Sequence, residues 1–182
     1  GPYYRMWNRN KRSLALDMST PKAREIARAL AEHADIVIEN FSPGVLDRWG
    51  MGYEAVSQVN PRVTYVQMSG MGDGGPWRDF VSFAPTVHAL SGLTYLTGLP
   101  GRENIGIGVS FNDHQAGLHA ATVILATIEA RRRTGRGQRV DFAQYELGVA
   151  LTGPALLDYN ANGVAHEPAG NLNRYDTAAP ND

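Results

Sequence analysis

Two β-branched runs, "DIVIEN" (35–40) and "RVTYVQMSG" (62–70), each bounded by polar residues, constrain the fold more than any other feature of the chain. Runs that are apolar on successive residues, rather than alternating, suit strands buried on both faces, as in a parallel sheet. "SLALDM" (13–18) predicts an earlier strand. Between it and the first run, "STPKAREIARALAEHAD" carries a helix start, with Ser19 or Thr20 as N-cap and Pro21 at the first helical position. Ile26, Ala27, Leu30 and Ala34 share one face at helical spacing. Strand, helix, strand, helix, strand predicts an α/β layer with a parallel sheet, whose ligands bind at the carboxyl ends of the strands. Those ends read "ENFSPG" and "MSGMGDGG".

Further along, "GVLDRWGMGYEAVSQVN" predicts a short helix, a Gly break and a second short helix. Residues 83–97 read as mostly helical and 98–110 as a Gly-rich loop. From Asp113 to about Arg133 the chain is apolar almost all round (Leu118, Val123, Ile124, Leu125, Ile128), which predicts a buried helix. "RVDFAQYELGVALTGPALLDYNANG" then reads as a strand-like start followed by helix. A start without Met and a polar, aperiodic tail, "HEPAGNLNRYDTAAPND", lead us to expect a piece of a longer protein.

Composition narrows the functional classes. With 182 residues and 43% hydrophobic residues the chain can build one core. Seventeen Lys and Arg against 18 Asp and Glu leave no global field for nucleic acid or an anionic membrane. Without cysteine there is no disulfide, thiolate metal site or Cys nucleophile, which fits a reducing compartment. No apolar stretch reaches membrane-span length, and no signal-peptide pattern is visible, so a cytoplasmic location is expected.

Several stretches could carry chemistry. Asp113 has an ordinary reading as an N-cap, its carboxylate accepting hydrogen bonds from the first turn. A carboxylate favoured by the positive helix end and fixed in direction, with Gly106, Gly108 and Gly117 leaving room for a ligand, also meets the needs of a nucleophile. "ENFSPGVLDRWG" is either a plain strand-to-helix turn, with Ser42 as cap and Pro43 at the first helical position, or an anion site using free N–H groups and Arg48. "SGMGDGG" resembles a phosphate loop but fits neither the dinucleotide fingerprint nor the Walker pattern. The five Arg of "RRRTGRGQR" read first as helix-end cations before a Gly135 stop. The five His show no metal-ligand spacing, so no metal is expected, and Ser82, Ser91 and Ser110 lack the G-x-S-x-G elbow.

Taken together, "NRNKRSLALDMSTP", "ADIVIENFSPGVLDRWGMGYE", "NPRVTYVQMSGMG", "ALSGLTYLTG", "DHQAGLHAA" and "RRRTGRGQRVDFAQYE" resemble the class III CoA-transferases, the CaiB/BaiF family. The blocks run in order from about residue 3 to about 175. The resemblance implies a Rossmann-like parallel sheet with flanking helices, and assigns 1–182 to the central part of the large CoA-binding domain. It implies that Asp113 is the nucleophile, passing through an anhydride and an aspartyl-CoA thioester as CoA moves from an acyl-CoA to a carboxylic acid. Carried over residue by residue, Leu16, Asn40, Phe41 and Arg48 would line coenzyme A, with Ser69 and Gly70 near its pantetheine arm.

On this resemblance the family's earlier first strand and its smaller second domain are expected to lie outside these 182 residues. Intact members are homodimers of two interlocked chains. The tail "PAGNLNRYDTAAPND" stands roughly where some transferases carry a mobile Gly run, which it lacks. The α-methylacyl-CoA racemase branch shares the Asp but needs a His in a GHD block; "PWRDFVSF" has Arg78 where that His would sit, which favours transfer over racemisation. A third expectation is a fragment that holds CoA without catalysis.

Overall fold

The computed structural model describes residues 1–170. A short helix, α1 (Pro2–Trp7), precedes an extended segment and α2 (Pro21–His33). Strand β1 (Ile36–Glu39) leads through α3 (Val45–Arg48) and α4 (Tyr53–Val59) into β2 (Thr64–Gln67). Three helices follow, α5 (Ala84–Leu90), α6 (Leu93–Leu96) and the long α7 (Phe111–Thr134), before β3 (Gln138–Asp141), α8 (Gln144–Leu151) and α9 (Gly153–Asn162). The strands form one parallel sheet in the order β1-β2-β3, with Ile36 opposite Thr64 and Thr64 opposite Gln138.

The middle strand explains the two cores. Successive side chains of a strand point to opposite faces, so Tyr65 and Val66 go to different sides. Tyr65 joins Ala31, Met51, Val56 and Val63 under α2 and α4, and its buried hydroxyl donates to the Met51 carbonyl at 2.8 Å. Val66 joins Met68, Ala116, Ala120 and Leu147 under α7 and α8. All four residues of β2, polar Thr64 and Gln67 included, are buried, as the central strand of a sheet covered on both faces requires.

Helix starts follow the sequence in part. Thr20 caps α2, its hydroxyl accepting from Ala23 N–H, and Pro21 occupies the first position. Gly135, in the left-handed region at φ 75°, ends α7 as expected. Arg131, from the basic cluster, donates to the backbone carbonyls of Asp35 and Arg62 and pairs with the Asp35 carboxylate at 2.9 Å, tying α7 to the start of the sheet.

Four local expectations need correction. Residues 13–18 form no strand: the segment follows the helix α1 in extended form and pairs with neither free edge of the sheet, β1 or β3. On α2 the buried residues are Ala23 and Ala31, while Ile26 and Leu30 are exposed; β1 is the edge of the sheet, and its Ile38 is likewise uncovered. Ser42 does not cap α3: Gly44, left-handed at φ 79°, holds that position, and the Ser42 carbonyl instead closes a turn to Val45 N–H. Finally, α7 is not buried all round. Asn112, Ala116, Ala120 and Thr127 face inward, but Leu118 and Leu125 are 65% and 67% exposed. The tail from 171 onward lies outside the described residues.

Candidate active site

The carboxyl ends of β1 and β2 meet the start of α7. Ser110 is the N-cap of α7 and makes no side-chain cap bond, so Asp113 stands inside the first turn rather than at the cap. That placement corrects the capping expectation while keeping the carboxylate in the positive field of the helix start. Its Oδ2 is sealed from solvent and accepts no hydrogen bond among the described residues. A carboxylate oxygen left without a donor keeps its electron density for another electrophile, and such an unsatisfied group calls for a functional explanation.

Asp113 lines a cavity of about 430 Å³ with Asn40, Gly70, Ser82, Phe83 and Gln144 among its other walls. A second cavity of about 190 Å³, walled in part by Phe41, Ser69 and Arg78, shares Asn40, Gly70, Ser82 and Phe83 with the first. The two spaces therefore adjoin. Of the residues proposed from sequence, Asn40, Phe41, Ser69, Gly70 and Asp113 come together at these walls. Arg48 lies just beyond them: its guanidinium and that of Arg78 reach within 3.5 and 3.8 Å of the point where a Gly44 side chain would begin. Leu16 lines neither cavity and sits half-buried in the unpaired segment before α2.

Local chemistry shapes these walls. Gly70 lets Ser82 approach closely: a Cβ there would fall 1.9 Å from Ser82 Oγ and 3.2 Å from its Cβ, and Ser82 would have to shift. The Ser69 carbonyl accepts from Gln144 N–H at 3.1 Å and the Gly70 carbonyl from Tyr145 N–H at 2.9 Å, so α8 braces the loop after β2. Ser69 Oγ is buried without a partner among the described residues. Asp73 holds the rest of the Gly-rich loop, pairing with Arg139 and, at 3.0 Å, with Arg78, while its N–H donates to the Asp141 carboxylate.

Glu39, at the end of β1, orders the turn that carries Asn40 and Phe41: its Oε2 accepts from Phe41 N–H at 2.6 Å. Burial pushes its pKa above the ordinary range; hydrogen bonds from Phe41 and Gln67 oppose the rise, and Asp73 and Asp47 add to it. A raised carboxyl favours folding most when protonated. Its contribution is full below the ordinary Glu value of about 4.3 and is lost as pH rises through the folded-state value. Glu39→Gln keeps an acceptor for Phe41, so its stability relative to wild type is expected to increase from pH 4 to pH 7. Urea midpoints that move in parallel for both proteins would refute this.

Sequence reasoning missed Ser82, His88, Asn112 and Gln144. Asn112 is fully buried, its N–H donating to His88 Nε2 at 2.9 Å and its Nδ2 to the Gln144 carbonyl at 2.7 Å. No local pattern marks them: "SFND" is mostly polar, and the His of "VHALSG" stands with a Ser three residues on. Among the described residues no group of three or more His, Asp or Glu could hold a metal ion, and no helix is long and apolar enough to cross a membrane.

The sequence profile of CoA-transferase family III matches residues 1–182. The chain belongs to that family. It is 37% identical over 164 residues to a succinyl-CoA–D-citramalate CoA-transferase of Chloroflexus aurantiacus, covering 90% of this chain and 41% of that protein. It is 36% identical to a formyl-CoA:oxalate CoA-transferase of Streptomyces avermitilis, covering 91% and 40%. The crystal structure of a CaiB/BaiF family protein from Brucella suis superposes with a TM-score of 0.87 at 36% identity, covering 91% of this chain and 44% of that one. The fold is thus the CaiB/BaiF α/β fold, and the chain spans about two fifths of the length of these curated relatives.

Proposed function

We propose that this chain is the central part of the large domain of a family III CoA-transferase, and that Asp113 is its nucleophile. The observation that carries the reading is the buried Oδ2 of Asp113, which has no donor among the described residues, in a residue lining the larger of the two adjoining cavities. A carboxylate oxygen attacks the thioester carbonyl of the donor acyl-CoA. The C–S bond breaks, leaving a mixed anhydride on Asp113 and the CoA thiolate. The thiolate attacks the Asp113 carbonyl carbon, the donor acid departs as its carboxylate, and Asp113 carries CoA as a thioester. An acceptor carboxylate then expels the thiolate to form a second anhydride. Attack of the thiolate on the acceptor carbonyl releases the new acyl-CoA and restores Asp113.

Asn40, Phe41, Ser69 and Gly70 line the approach, with Arg48, just beyond the cavities, assigned to a CoA phosphate, and Leu16 assigned to CoA only by the resemblance. Transfer is favoured over an α-methylacyl-CoA racemase reading by the cavity itself, since none of the described residues lining it is a His that could exchange an α-proton. The uncovered apolar face of α7, with Leu118 and Leu125, supports packing against further chain in an interlocked homodimer of the full-length protein. We place that protein in the cytoplasm.

The test is to incubate the full-length protein with succinyl-CoA and other acyl-CoAs, add hydroxylamine, and map the product by peptide mass spectrometry. A hydroxamate on Asp113 is expected; CoA binding with no adduct would reduce the protein to a non-catalytic binder. Arg48→Ala is expected to weaken CoA binding about 10-fold or more, the loss of a charge-assisted contact. Arg48 is exposed, so its loss should change stability by less than about 0.5 kcal/mol. Unchanged affinity in a titration would remove Arg48 from the site.

A further inference from the structure

We infer that His88 is a positioning residue for the transfer reaction, fixing the first turn of α7 so that Asp113 meets the thioester. This rests on the reading of Asp113 as nucleophile. The first N–H groups of a helix have no intrahelical acceptor. In α7 the N–H of Asn112, the residue before Asp113, finds its acceptor outside the helix, on His88 Nε2 at 2.9 Å. The donor is a backbone N–H, so Nε2 must offer a lone pair and the imidazole carries its proton on Nδ1. His88 is 2% exposed and Asn112 fully buried, so the bond is shielded from bulk solvent.

The same helix also walls the reaction space. Ala84, Pro85 and Val87 of α5 line the cavity that Asp113 lines, and His88 follows directly. An acyl group filling the cavity presses on the element whose next residue holds the nucleophile's turn. Asn112 extends the linkage by donating to the Gln144 carbonyl, and Gln144 N–H donates to the Ser69 carbonyl. Wall, nucleophile and the proposed pantetheine-side loop are thereby fixed relative to one another through one His and one Asn. A displacement of about 1 Å at a reacting group can cost on the order of 100-fold in rate.

His88→Leu keeps the apolar bulk and removes the acceptor, while His88→Gln places an amide oxygen close to where Nε2 lies. In the full-length protein, with succinyl-CoA and hydroxylamine, we expect His88→Leu to acylate Asp113 about 10- to 100-fold more slowly at saturating substrate, with CoA affinity unchanged. His88→Gln should restore most of the rate. Hydrogen exchange over residues 108–116 should be faster in His88→Leu and near wild type in His88→Gln. Wild-type acylation in His88→Leu would overturn the inference, as would a loss of thermal stability alone that Gln does not repair. Absence of a hydroxamate in the wild type would instead overturn the nucleophile reading, and with it the catalytic purpose assigned to His88.

Discussion

Asp113→Asn is expected to abolish covalent capture at residue 113 and to lower CoA transfer by more than about 1,000-fold, the scale of losing a nucleophile. Asn preserves the shape of the side chain but cannot form an anhydride or a thioester, so the loss is chemical rather than steric. Folding should change little. Removing the charge forfeits a favourable helix-end interaction of about 0.3–1 kcal/mol, while it also relieves a buried carboxylate oxygen that has no donor among the described residues. The thermal midpoint is therefore expected within a few degrees of wild type, with CoA still bound. Retention of transfer at even a tenth of the wild-type rate would show that another group carries the acyl chemistry.

The largest effect on stability is expected at Gly137, far from the chemistry. A Cβ there would lie 2.0 Å from the Val63 carbonyl oxygen and 2.5 and 2.6 Å from further backbone atoms of Arg62 and Val63. None of these can rotate away, because Gly137 N–H donates to Pro61 and Gln138 N–H to Val63 as β3 enters the sheet. Gly137→Ala must push β3 off β2 and is expected to cost about 3 kcal/mol or more, the upper range for overpacking. In a chain of this size each kcal/mol lowers the midpoint by about 2–4 °C, so a drop near 6–12 °C should be measured by calorimetry. Gly74, with open space around it, is the control: Gly74→Ala should stay within about 0.5 kcal/mol. Equal midpoints for the two variants would mean that the strands separate more easily than their register implies.

The parallel sheet was legible because its signals are local. β-Branched runs around Ile36–Glu39 and Thr64–Gln67, a capped α2 and a glycine stop at Gly135 depend on residues near one another in sequence. The ENF turn and the Ser69–Gly70 loop were legible as strand ends, whereas Asp113 was offered as nucleophile by the family resemblance and its local reading as an N-cap gave way to Ser110. The failures share one cause. Whether residues 13–18 pair, whether Leu118 and Leu125 are covered, and which face of α2 is inside all depend on what lies alongside, and a periodic pattern names a face without naming its neighbour.

The sequence by itself determined the α/β alternation, the family and the residue offered as nucleophile. Only the tertiary structure decided that Asp113 sits within the first turn of α7, next to a buried Asn112 held by His88 and Gln144. Those partners stand 24 and 32 residues from Asn112. Their pairing has no periodicity to betray it, because a hydrogen bond between distant segments exists only once the sheet has brought those segments together.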